Sequence, residues 1–224
     1  MKKLLFGLVA VAICCLNSLA ASPTITTGAE NVQGLGKIKY AQTDLFTTNL
    51  NGQDVSMRII YSIPIKNQPE FSIVYCSPES TIYKEIENYV NNFSAVASQF
   101  KQTGSRIADI FVKDGTYTWC TGQKYGVAGS ALNMVHKTID KVNGQDQLCM
   151  MVIIPEGIMD SNRYDWNDKN HWKDFQKELL AGNMTSFRYK FIYPGGRKEE
   201  NLIVPLNSEM VLVMQKLVEA YNKK

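Results

Sequence analysis

The chain has 224 residues, 45% hydrophobic and 20% charged, with a formal net charge of +3. That length suits one domain with a full core, at most carrying an embellishment. Such a charge excludes a general attraction for nucleic acid or anionic membrane. Beyond the N-terminus no run approaches about 18 consecutive apolar residues, which excludes a later transmembrane helix.

The N-terminus reads as an export signal. Lys2 and Lys3 precede an apolar run over residues 4–16, and Ser18-Leu19-Ala20 places small side chains at the two positions that define a cleavage site. A lipoprotein cysteine follows a small residue, whereas Cys14 follows Ile13 and Cys15 follows Cys14. Residues 1–20 are therefore expected to be removed, in a signal of bacterial style, leaving a periplasmic or secreted protein. Loss of the two lysines takes the net charge from +3 to +1. Residues 21–36 are small, polar and glycine-rich and read as a flexible lead-in, with a single domain over 37–224.

Strands are expected over residues 55–63 and 71–76, with Pro64 and Pro69 between them. Ser77-Pro78-Glu79 then supplies a capping residue, a first-turn proline and an acid for the positive end of a helix dipole. The helix that follows carries Ile82, Ile86, Tyr89, Phe93, Val96 and Phe100 at steps of four and three. Tyr83, Val90 and Ala97 widen that stripe into a face suited to packing on a sheet. Residues 107–112 and 116–120 flank Asp114-Gly115 and predict a hairpin. A helix is expected over 130–142, from the spacing of Leu132, Val135, Ile139 and Val142 and the stop at Asn143-Gly144.

The run 148–154 is apolar on both faces and predicts a central buried strand. A helix over 168–181, a hairpin of 186–193 with 201–204, and a last helix capped by Ser208 complete the chain. The predicted fold class is α+β: a mixed, mostly antiparallel sheet covered by about four helices, in the order ββαββαβαββα.

Cys14 and Cys15 leave with the signal, so Cys76, Cys120 and Cys149 remain in a compartment that favours disulfides. Cys76 and Cys120 each end a predicted strand and are the expected bridge; Cys149 reads as a buried free thiol. No spacing fits a zinc site, so no metal is expected. A P-loop, a Gly-x-Ser-x-Gly elbow and a His-Glu-x-x-His pair are all absent from the sequence, and no cofactor is implied.

The candidate site is the segment after the buried strand. Asp160, Asn162, Arg163, Asp165, Trp166 and His171 gather where ligand sites of sheet-and-helix proteins often lie, beyond the carboxyl end of a strand. Aspartate with tryptophan also suits a saccharide, one hydrogen-bonding and the other stacking. Asp160 and Asn162 match the start of an EF-hand loop, but Tyr164 and Asp165 break its pattern. The expectation is an exported binding or interaction protein whose 160–172 loop meets a protein, small-molecule or saccharide ligand. The alternative is a secreted hydrolase with Asp160 or Asp165 and His171 as acid–base groups.

Overall fold

The computed structural model describes residues 22–32, 36–65, 68–99, 105–112, 115–120, 135–155, 180–192 and 199–223. The elements are β1 (Ile25–Val32), β2 (Gly36–Thr43), β3 (Phe46–Leu50), β4 (Gln53–Ile65), β5 (Gln68–Tyr75), α1 (Thr81–Gln99), β6 (Ser105–Val112), β7 (Gly115–Cys120), β8 (Val135–Val142), β9 (Gln145–Pro155), β10 (Met184–Ile192), β11 (Glu199–Pro205) and α2 (Ser208–Asn222). A seven-stranded sheet runs β1-β2-β4-β5-β9-β8, with β3 also paired to β4; a second sheet runs β11-β10-β6-β7. Every pairing in both sheets is antiparallel.

This corrects the expected fold class. The described residues hold eleven strands and two helices in the order βββββαββββββα, a β-dominated chain rather than a sheet covered by about four helices. The helix expected over 130–142 is the clearest reversal, because residues 135–142 are strand β8. Its Val, Thr, Ile and Val residues are β-branched and favour a pleated surface. Asn143-Gly144, taken as a helix stop, has positive φ at both residues (53° and 81°). That is the signature of a two-residue hairpin turn, and it joins β8 directly to β9.

Asn51-Gly52 repeats the device between β3 and β4, with φ of 53° and 85°. The stretch expected as a loose lead-in instead supplies β1, paired along its whole length with β2. There Gly28 stands opposite Tyr40, and a Cβ added to it would lie 2.6 Å from the tyrosine hydroxyl. The ring thus fills the space that the glycine leaves on the sheet. All of the signal over 1–20, and all but the last two residues of the expected helix over 168–181, lie outside the described residues; Leu180 is helical and Ala181 turns. Both remaining hairpins and the helices at 81–99 and 208–222 match expectation, but α1 is capped by Ser80, whose Oγ accepts from Tyr83 N at 3.3 Å, while the expected cap Ser77 accepts from Ser56 N on β4.

Alternation along the strands divides the large sheet into two faces. Val55, Met57, Ile59 and Tyr61 of β4, Phe71, Ile73 and Tyr75 of β5, and Met150, Val152 and Ile154 of β9 join one core. Against that face pack Ile82 and Ile86 of α1, Met210, Met214 and Leu217 of α2, and Phe187, Tyr189, Leu202 and Val204 of the second sheet. Helix α2 lies over β1, β2 and β4, and α1 over β8, β9 and β11. Among the described residues no helix is long and apolar enough to cross a membrane.

The opposite face carries Arg58, Val74, Cys76, Cys149 and Asp140. Arg58 on β4 lines up with His136 on β8, so Asp140 is three strand spacings away and four residues out of register, roughly 19 Å on a flat sheet, yet Nε and Oδ2 are 3.1 Å apart. Side chains of that length span the gap only because the sheet is curled with this face concave.

Helix α2 is tied to β3 through its cap, which is Asn207 rather than the expected Ser208. Asn207 Oδ1 accepts from Met210 N at 2.8 Å, while Nδ2 donates to Thr48 Oγ1 at 2.8 Å and to Asn49 O at 2.9 Å. Thr48 in turn donates to Glu209 Oε2. One side chain thus satisfies the helix end and fixes its position on the sheet. Replacing Asn207 with alanine is expected to destabilise the fold by about 2–3 kcal/mol, the sum of a lost cap and two lost tethers. Asn207→Asp keeps the cap oxygen and loses only the tethers, so its urea midpoint should fall between the other two. Equal midpoints for all three proteins would show that the cap does not hold α2 in place.

Candidate functional site

β9 ends at Pro155, five residues before the segment singled out in the sequence. The neighbour of Pro155 across the β5–β9 ladder is Glu70, which also stands opposite Ser62 of β4. The register of the β4–β5 ladder shifts between Ser62 and Ile65, immediately beside that glutamate. Pro64 falls within the irregularity, where a missing N–H is tolerated. Bulges of this kind turn a strand and re-aim its side chains, and they recur beside functional sites.

Glu70 is half-buried, and burial alone pushes its carboxyl up to about 7 from an ordinary 4.5. Among the described residues no cation lies within ion-pair distance of it. Desolvation thus favours the neutral acid at pH values where a surface glutamate is charged. The group is partly accessible, sits beside the end of β9, and burial pushes its carboxyl toward neutrality. It can donate a hydrogen bond when protonated and accept several when ionised.

The six residues expected to form the site, Asp160, Asn162, Arg163, Asp165, Trp166 and His171, lie outside the described residues. What the structure adds is the point from which their segment departs. Glu70 was missed because a lone acid between Pro69 and Phe71 gives no motif. The available signal was its place at the start of the buried strand Phe71-Ser72-Ile73-Val74-Tyr75, on the face away from Phe71 and Ile73.

Other chemistry-bearing groups are not brought to this place. His136 on β8 is in register with Met151, four residues back along β9 from Pro155, or roughly 13 Å. Its Nδ1 is buried without a hydrogen-bond partner among the described residues. Cys76 and Cys149 are buried, and burial first of all pushes both thiols up, the reverse of what a nucleophilic cysteine needs. Cys120 ends β7 in the other sheet. The thiol set against Cys76 is that of Cys149, at 2.9 Å between sulfurs.

A cleft of about 460 Å³ opens at the far end of β5, between the β3–β4 turn, α1 and β11. Leu50, Asn51, Gln53, Glu85, Ile203 and Pro205 are in its wall. Gln53 Oε1 is already engaged by Thr81 N at 2.8 Å, which caps the first turn of α1. The cleft is thus a junction of three elements at the other end of β5 from Glu70. Comparison of the chain with family models, with curated proteins and with solved structures gives no match.

The folded carboxyl of Glu70 holds its proton between pH 4.5 and about 7, where the unfolded chain has lost it. Folding stability therefore falls as pH rises through that window and levels off above it. The full drop corresponds to about 3 kcal/mol. Glu70→Gln removes the titration, so urea unfolding at pH 5 and pH 8 should show a decline in the wild type that the variant lacks. Parallel behaviour of the two proteins would contradict the burial of this carboxyl.

Proposed function

We propose that the chain is an exported, ligand-binding protein, and that its ligand meets the 160–172 segment together with Glu70. The observation that carries this is the register of the β5–β9 ladder. It sets a half-buried, neutral-range carboxyl beside Pro155, the last described residue before the stretch that holds Asp160, Asn162, Arg163, Asp165, Trp166 and His171. The bulge beside Ser62 supports it, since an irregular strand end costs ladder hydrogen bonds that a purely structural hairpin would keep. The residue types suit a saccharide: carboxylates for hydroxyl groups, and Trp166 for the apolar face of a sugar ring. Export rests on the sequence pattern over residues 1–20.

One observation favours the hydrolase as a second reading. A carboxyl titrating near 7 is what a general acid needs at neutral pH, and Glu70 would join Asp160 or Asp165 and His171 in that role.

Titration of the mature protein with a panel of neutral and acidic oligosaccharides, followed by tryptophan fluorescence, tests the site. A saccharide that binds the wild type should bind at least about tenfold more weakly to Asp165→Ala and to Trp166→Ala, a loss of about 1.4 kcal/mol. Its affinity should also change between pH 6 and pH 8, and this dependence should vanish in Glu70→Gln. Binding untouched by these substitutions, or no binding across the panel, rejects the saccharide site. Steady release of new reducing ends, abolished by Glu70→Gln and His171→Ala, would turn the assignment to the hydrolase.

Export has its own check. Protein recovered from the envelope or medium of the producing cell should begin at Ala21, and a full-length chain beginning at Met1 in the cytosol would remove the premise.

A further inference from the structure

We propose that Cys76 and Cys149 form a disulfide that joins β5 to β9 in the mature protein. The β5–β9 ladder places Tyr75 opposite Met150, so the next position along sets Cys76 opposite Cys149. The two sulfurs are 2.9 Å apart, closer than a van der Waals contact and within about 1 Å of a bonded pair. Directly opposed residues of antiparallel strands hold their Cβ atoms about 4.5–5.5 Å apart, close to the separation that a disulfide spans. With the sulfurs 2.9 Å apart, only a small adjustment is needed to close the bond.

The surroundings suit a structural bond rather than a reactive pair. Cys76 is 4% exposed and Cys149 0%, in a small cluster with Val74, flanked by Leu45, Ile60, Val142 and Met151. The Arg58–Asp140 ion pair reaches across the same concave face, and its two charges act on both sulfurs. Gln147 Nε2 donates to Cys76 O at 2.7 Å and fixes the backbone at the strand end. Burial disfavours the thiolate of either cysteine, so attack on an external disulfide is slow once the sheet has closed.

Oxidation therefore belongs to folding. A disulfide donor R–S–S–R is attacked by one cysteine thiolate, giving a mixed disulfide and one R–SH. The second cysteine then displaces the other R–S group as R–SH. Two electrons pass to the donor, and the two thiol protons end on the two R–SH products. After β5 and β9 pair, the same burial shields the bond from reductants. The bond stands independently of what the 160–172 segment binds. It replaces the expected bridge from Cys76 to Cys120 and leaves Cys120 as the unpaired cysteine of the mature chain.

The test refolds the full mature chain, residues 21–224, from its reduced, unfolded state in glutathione disulfide as donor. Intact mass should fall by about 2 Da relative to the reduced protein, and proteolytic mapping without reductant should give one linked pair containing Cys76 and Cys149. Cys120→Ser should keep both the mass change and the linked pair. Reduction should lower the Tm by roughly 5–15 °C in the wild type and in Cys120→Ser alike. The reduced protein, once folded, should acquire the bond at least tenfold more slowly than the refolding chain.

A linked pair containing Cys120, or three free thiols after refolding, overturns the proposal. So does equal Tm with and without reductant. Mapping is done on the unsubstituted chain, so the result does not depend on whether a cysteine variant folds.

Discussion

Pairing of β5 with β9 joins segments that stand 73 residues apart at their closing position, and nearly every feature of the large sheet hangs on that seam. On the core side it brings Phe71, Ile73 and Tyr75 against Met150, Val152 and Ile154, all essentially inaccessible to solvent. On the concave side the same register opposes the two cysteines at one end and sets Glu70 beside Pro155 at the other. A slip of one residue would exchange the two faces, exposing the core row and burying Glu70 and Ser72 beneath the helices. The apolar row therefore fixes the register, and the polar groups on the reverse side are placed by it. The core and the proposed site are thus two sides of one ladder.

The sequence revealed elements wherever local signals were sufficient. The 81–99 helix has a continuous stripe; the hairpins at 105–120 and 184–205 have glycine-bearing turns between apolar runs. Misreadings arose where one pattern served two structures. Val135, Ile139 and Val142 stand at helical steps of four and three, yet Val135, Lys137, Ile139 and Lys141 also share one side of a strand. The competing signal was Asn143-Gly144, whose positive φ angles make a hairpin cheap and which acts as a strand connector rather than a helix stop. Strands β1 and β3 were hidden for another reason. Their residues are largely threonine, asparagine and small side chains, and in β3 the buried positions are Phe46, Thr48 and Leu50. Thr48 is buried because it bonds to α2 through Asn207 and Glu209, a partner about 160 residues away that no local window contains.

The same distinction governs the candidate site and the cysteines. Residue types in the 160–172 segment could be assessed directly, since carboxylates and tryptophans gathered after a buried strand need no partner to be noticed. Glu70 could not, because its character comes from desolvation, and desolvation is a property of what packs around a residue. Cys149 was legible as buried from the apolar run around it. That it is buried against Cys76 follows only from the strand order, which short-range patterns do not encode.

Among the described strands, β8 closes one side of the large sheet, and its outer row of backbone donors and acceptors meets no further strand. Ile139 and its cross-strand neighbour Leu148 are exposed beside that edge, at 64% and 42%. An apolar strip on an open edge is a template for a strand from another copy of the chain. Lys137 and Lys141, one on each side of Ile139, work against this by placing charge along the edge that a second copy would have to dehydrate. Such protection is electrostatic and lies in solvent, so salt screens it over a Debye length of about 8 Å at physiological ionic strength. Among the described residues this edge is thus guarded by charges that lie in solvent, Lys137 3.9 Å from Glu87 and Lys141 3.2 Å from Asp146, and concentrated salt weakens that guard.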